Sequence, residues 1–213
     1  MYMLAAEEGI DYFNVLMVQC GTIGWILWLM SIITVAIVVQ YFIAIRRDNI
    51  LPPAILEQVR ELFDEKQYGE AIEMTATEPS FLSYVIHAGL SDASHGYPAM
   101  ERAMEESSEE RTTKYLRQIE WLNLIGNISP MLGLLGTVWG MILAFQELAA
   151  SGGTADPADL ADSIGIALVT TLLGLSIAIP ALAVYAVMRN RVDALTSEAM
   201  VAAQDLISTF RPA

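Results

Sequence analysis

The 213 residues carry 25 acidic and 11 basic side chains, a net charge of −14, which excludes nucleic acid and anionic surfaces as electrostatic partners. Apolar residues make up 54% of the chain, gathered in long runs rather than spread evenly, which excludes a single soluble core. Cys20 is the only cysteine, so no internal disulfide is available. The residues before it, Leu16 to Gln19, lack the small side chains of a lipidation site, and a buried apolar role is expected for it.

Residues 1–20 read as a short outer segment. Glu7, Glu8 and Asp11 give it the wrong charge for the start of a secretory signal. From Phe13 to Ile45 no charged residue occurs, too long a run for a signal core. Residues 21–45 are therefore expected to be a retained first transmembrane helix, with Trp25 and Trp28 near an interface and most of its surface toward lipid.

Residues 46–118 read as a cytoplasmic helical domain and stalk. Pro52-Pro53 can open a helix, and Ile55, Leu56, Val59, Leu62 and Phe63 follow at helical spacing. Short amphipathic helices are expected over about Tyr68–Thr75 and Pro79–Leu90. His87 and His95 have no carboxylate or cysteine at ligand spacing, so no metal site is expected. After Gly96-Tyr97-Pro98 neither glycine nor proline appears until Gly126. One helix of roughly 50 residues, about 75 Å, is expected from Ala99 to Leu148, with Arg102/Glu106 and Glu110/Lys114 as surface pairs.

That helix carries the second span, residues 119–149. An outer turn follows at 150–160, then a third span at 161–189 and a cytoplasmic C-terminal helix at 190–213. In the last, Val192, Leu195, Ala199, Ala202, Leu206 and Phe210 are expected on one face. Spans two and three form an antiparallel hairpin about the turn. Thr137 and Thr171 are equidistant from Thr154 in the sequence, and Pro130 and Pro180 nearly so, which sets each pair at one depth.

The fold class is therefore an all-α integral membrane protein with three transmembrane helices, spans two and three extending into a cytoplasmic helical domain. Every Lys and Arg falls within 46–117 or 189–211. The positive-inside rule then places the N-terminus outside and the C-terminus in the cytoplasm.

No catalytic constellation, phosphate-cradling loop or metal cluster is present in the sequence, and no enzyme activity or cofactor is expected. Within the spans the polar groups are hydroxyls and amides: Asn123, Asn127, Ser129, Thr137, Ser163, Thr170, Thr171 and Ser176. Asn127, Thr137, Ser163, Thr170 and Thr171 are the candidates for a polar ion path. Back-bonding of each hydroxyl to its own helix is the competing reading. Pro130 and Pro180 each free a carbonyl inside the membrane. Gly133, Gly136, Gly140 and Gly174 form a small-residue stripe for close helix packing, either within the chain or between copies.

The runs Gly133-Leu134-Leu135-Gly136-Thr137-Val138-Trp139-Gly140-Met141 and Ala167-Leu168-Val169-Thr170-Thr171-Leu172-Leu173-Gly174-Leu175, followed by Ala178-Ile179-Pro180-Ala181, resemble the ExbB/TolQ proton-channel family. The flagellar stator protein MotA is more distantly similar. The resemblance implies a homopentamer, multi-pass in the cell inner membrane with its N-terminus periplasmic. It would surround single-span ExbD/TolR-like subunits bearing a membrane aspartate, and act with a TonB- or TolA-like protein. Ion flow, most simply of protons, would be coupled to mechanical work on an outer-membrane or envelope system. Thr137 and Thr171 match the threonines that face the partner's aspartate in that family, and they are expected to stabilise its charged form or hold a relay water. Ile166 stands where ExbB proteins often carry glutamate, which leaves the choice between proton and sodium open. A scaffold that conducts nothing, a channel without a partner, and a flagellar or gliding-motor stator are the alternatives.

Overall fold

The computed structural model describes residues 21–154 and 156–210. Cys20 and the outer segment 1–20 lie outside these. Among the described residues the structure is entirely helical, with seven α-helices: α1 (Gly21–Ala44), α2 (Arg47–Ile50), α3 (Pro53–Asp64), α4 (Tyr68–Thr77), α5 (Phe81–Ser91), α6 (Tyr97–Ala150) and α7 (Pro157–Ile207). Single 3-10 turns lie at Ala93–His95 and Ser208–Phe210. Helices α1, α6 and α7 are long and apolar enough to cross a membrane. The long helix starts two residues before the expected Ala99. Pro98 sits in its first turn, where the missing N–H has no helical partner to lose.

The chain divides into two compact units. One comprises α1 as far as Val38 together with Trp121–Tyr185; the other comprises Val39–Glu120 and the chain from Ala186 onward.

In the first unit, Leu27 of α1 is fully buried against Ile125 of α6 and Ile177 of α7, with Ile23, Met30, Leu132 and Leu173 around them. Thr34 is buried on α1 and donates its hydroxyl to Met30 O at 2.7 Å, so no polar atom is stranded there. Large apolar side chains point outward instead: Trp25, Leu29 and Ile32 on α1, Met131, Leu134 and Trp139 on α6, Leu168, Leu172 and Ile179 on α7. An exterior of that kind is stable in hydrocarbon and not in water.

The turn between α6 and α7 is built from the glycines that its conformation requires. Gly152 and Gly153 have φ of 64° and 86°, and their N–H groups bond to Ala149 O and Leu148 O at 3.2 and 3.0 Å. This paired closure satisfies the last carbonyls of α6. Asp156 then accepts from the Ala158 N–H at 2.9 Å, with Pro157 opening α7.

The second unit has a conventional core. Phe81, Leu82, Val85 and Ile86 of α5 are buried, as are Met100 and Met104 of α6. Ser80 caps α5 by accepting from the Ser83 N–H at 3.1 Å. Helix α3 buries Ile55, Val59 and Phe63, and Phe63 meets Tyr68 and Phe210 with ring centroids 5.7 and 5.6 Å apart. Asn49 Nδ2 bonds to Ile43 O and Ala44 O, closing the end of α1, and the Tyr41 hydroxyl donates to Gln118 O. On α7 the buried residues include Val192, Leu195, Ala199, Ala203, Leu206 and Ile207. Ala202, expected on this face, is half-buried beside Ala203. The regular helix ends at Ile207, and Phe210 reaches the aromatic cluster from the 3-10 turn.

Surface charges pair as the spacing predicts. Arg102 lies 2.9 Å from Glu106 and Lys114 2.6 Å from Glu110, and the Lys114 ammonium holds the Glu110 carboxyl below the usual carboxylate range. Such exposed pairs contribute little stability. His87 Nδ1 lies 3.3 Å from Ile72 O and 3.5 Å from the Thr75 hydroxyl. No group of metal-binding side chains occurs among the described residues.

Candidate functional site

Ser129, Thr170 and Thr171 lie where α6 and α7 touch. The helices run antiparallel: Gly126 faces Leu182, Gly133 faces Thr170, Thr171 and Gly174, and Gly140 faces Ala167. At the centre the contact is backbone on backbone. A Cβ placed on Gly133 would lie 2.9 Å from Thr170 O and from the Thr171 Cα, and one on Gly174 would lie 2.5 Å from Ser129 O. Only hydrogen fits at these two positions. At Gly136 the space a methyl would need is filled by the Thr170 side chain, whose Oγ1, Cβ and Cγ2 are the nearest atoms. The small residues thus line a seam within one chain.

This close approach brings side-chain hydroxyls to a backbone carbonyl of the opposite helix. Thr171 Oγ1 donates to Gly133 O at 3.1 Å, and Thr170 Oγ1 reaches the same oxygen at 3.2 Å while donating to Ala167 O at 2.7 Å. Thr170 is 3% exposed, whereas Thr171 is half-buried. Thr137 lies one helical turn from Gly133, on the same side of α6, and is likewise half-buried. Its hydroxyl donates to Leu134 O at 2.7 Å. Ser129, fully buried, donates to Ile125 O at 2.7 Å.

The remaining candidates lie along the same two helices. Asn127 is exposed on α6 and donates to Asn123 O and Oδ1 at 2.7 and 2.9 Å. Ser163 is half-buried on α7, at the level where its carbonyl lies 3.7 Å from a Cβ built on Gly140. Pro130 and Pro180 sit inside α6 and α7, which continue through them. Ile166 lines an open groove of about 500 Å³ with Gly136, Trp139, Gly140, Leu143, Ala167 and Thr170, closed at one side by Gly21, Thr22 and Ile23 of α1. Leu182, whose side chain covers Gly126, carries no signal in the sequence that would single it out from the other leucines of the spans.

Between Trp121 and Gln146, and between Ser163 and Met188, there is no Asp, Glu, Lys, Arg or His. The seam can hydrogen-bond and guide, but it holds no acid of its own to carry a proton.

A family model described as the MotA/TolQ/ExbB proton channel family matches residues 77–200, which include the whole seam. The chain belongs to this proton channel family. The exbB1 biopolymer transport protein of Vibrio cholerae is 32% identical over 168 residues, 78% of this chain and 74% of that protein. The Xanthomonas campestris ExbB biopolymer transport protein is 37% identical over 82 residues, 38% of this chain and 32% of its own length. The Tol-Pal system protein TolQ of Pseudomonas aeruginosa is 38% identical over 84 residues, 39% of this chain and 36% of its own. The chain therefore spans most of the Vibrio relative and about a third of the other two. Membership of a proton channel family accords with the all-helical, three-span architecture. It also gives weight to polar groups that a simple anchor would not need.

Proposed function

We propose that this chain is the multi-pass subunit of an inner-membrane channel and stator, a homopentamer that couples proton flow to mechanical work on the cell envelope. A second, single-span subunit of the ExbD/TolR kind supplies an aspartate in the membrane, and a TonB- or TolA-like protein takes up the motion. The observation that carries this reading is a proton channel family member whose spans are rich in hydroxyls yet hold no carboxylate between Trp121 and Gln146 or between Ser163 and Met188. The acid that binds and releases each proton has to come from another chain. Thr137 and Thr171 line its path, with Asn127 and Ser163 toward the two ends.

The test begins with the tagged chain purified from native membranes. A small single-span subunit with a membrane acid should co-purify, and proteoliposomes holding both should pass protons while those holding this chain alone should not. Equal flux without the second subunit would turn the reading toward a channel that needs no partner. Absence of both flux and a co-purifying subunit would leave the scaffold.

Orientation is part of the proposal: the 150–160 turn outside, residues 46–118 and the C-terminus inside, following the basic residues. In a Cys20→Ser background, a cysteine at Thr154 should react with an impermeant reagent in cells whose outer membrane alone is opened. A cysteine at Ser107 should react only after the inner membrane is breached. The reverse pattern would invert the topology.

A further inference from the structure

Outside the spans the chain covers its apolar side chains closely, with one exception. Among the described residues of 46–118 and 190–210, Val201 of α7 is the one large hydrophobic side chain left exposed, at 63%. It lies in an open groove of about 420 Å³ between α6 and α7, with Met200 beside it and Glu105, Glu109 and Asp193 also in the lining. These three carboxylates are exposed, and among the described residues none of them is in an ion pair. Glu106, Glu110, Glu198 and Asp205, on the same two helices, each pair with a Lys or Arg. The groove thus joins an apolar contact to three uncompensated negative charges, in a chain of net charge −14.

We propose that this groove docks a basic, amphipathic stretch of the second subunit, the flank by which that subunit leaves the membrane on the cytoplasmic side. This rests on the proposed function. A single-span protein carries Lys and Arg on its cytoplasmic flank by the positive-inside rule, so the two surfaces have opposite charge. Another copy of this chain brings the same acidic groove, and an anionic lipid headgroup brings like charge; both are repelled. A free metal ion or polyamine would answer the carboxylates and leave Val201 in water. Lys and Arg answer both, because their alkyl stems lie along apolar surface while the charged ends reach the acids at the rim. Exposed ion pairs are individually weak. The contact therefore sets where the flank sits more than how tightly the complex holds.

The experiment uses the native complex purified through a tag on this chain. The photo-reactive residue p-benzoylphenylalanine replaces Val201 or, on another exposed surface, Glu57. Irradiation should join the Val201 position to the second subunit, within a Lys- or Arg-bearing stretch on the cytoplasmic side of its span. The Glu57 position should not give this product. Added salt should lower the yield. Glu105→Gln, Glu109→Gln and Asp193→Asn together should lower it about tenfold, each lost pair accounting for up to about fivefold. The second subunit should still co-purify, and the triple variant breaks no ion pair of its own fold. Cross-links from Val201 only to lipid or to another copy of this chain, with the second subunit present, would overturn the inference and leave the proposed function standing. An unchanged yield in the triple variant would do the same. A purified chain with no second subunit would overturn both.

Discussion

Gly174→Ala is expected to break the α6–α7 hairpin, although it adds a single methyl group. The new carbon would lie 2.5 Å from Ser129 O and 3.2 Å from the Gly133 Cα. Both are backbone atoms of the facing helix, which no rotamer change can clear. The helices have to separate, opening the Thr170 and Thr171 bonds to Gly133 O as they do so. Overpacking of this kind costs about 1–3 kcal/mol, and a rigid backbone neighbour puts the cost at the upper end. Gly133→Ala should behave alike, since its neighbours are also backbone. Gly126→Ala should be much milder, because the obstacle there is the Leu182 side chain, which can turn. Gly165→Ala, with nothing within 4 Å, is the neutral control. Thermal unfolding of the purified protein in detergent, with native mass of the assembly, measures the series. Equal stability of Gly174→Ala and Gly165→Ala would show that the helices do not meet on these glycines.

Thr137→Val and Thr171→Val are expected to lose most proton flux while assembling normally. Valine keeps the shape of threonine and deletes the hydroxyl. Both sites are half-buried rather than sealed, so the stability cost is small. Losing one neutral hydrogen bond, about 0.5–1.5 kcal/mol, shifts the acid's midpoint by up to about one unit and flux by up to about tenfold. Thr170→Val should do the opposite: destabilise the hairpin by about 1 kcal/mol through a buried hydrogen bond, with flux per assembled complex unchanged. Flux is compared in proteoliposomes holding both subunits at matched assembly. Full flux in both path variants would leave Thr137 and Thr171 as packing residues.

The architecture was legible because a membrane imposes long, charge-free runs. Three long apolar helices and the antiparallel hairpin follow from apolar length and from Gly152, Gly153 and Pro157. Glycine spacing announced a close contact, but not whether it was made within the chain. That depends on which face each helix turns to its neighbour, and two stripes of small residues fit either case. Thr170 and Thr171 were separable only as points on a helical wheel. With glycine opposite, the backbones come so near that adjacent residues both reach one carbonyl, an outcome of distance that periodicity does not encode. The Phe63, Tyr68 and Phe210 cluster was equally hidden, because it joins residues remote in sequence. At 202–203 a one-residue drift of the buried face was beyond the resolution of a spacing count.

The charge-free hairpin also determines where an electrical potential can act. A voltage does work only on charge, at about 2.3 kcal/mol per elementary charge for each 100 mV crossed. Neither α6 between Trp121 and Gln146 nor α7 between Ser163 and Met188 holds a formal charge. The peptide dipoles of two antiparallel helices oppose each other and largely cancel. The field therefore exerts almost no force on this pair of helices, whatever its strength. All of the electrical work is delivered to whatever charge moves beside them.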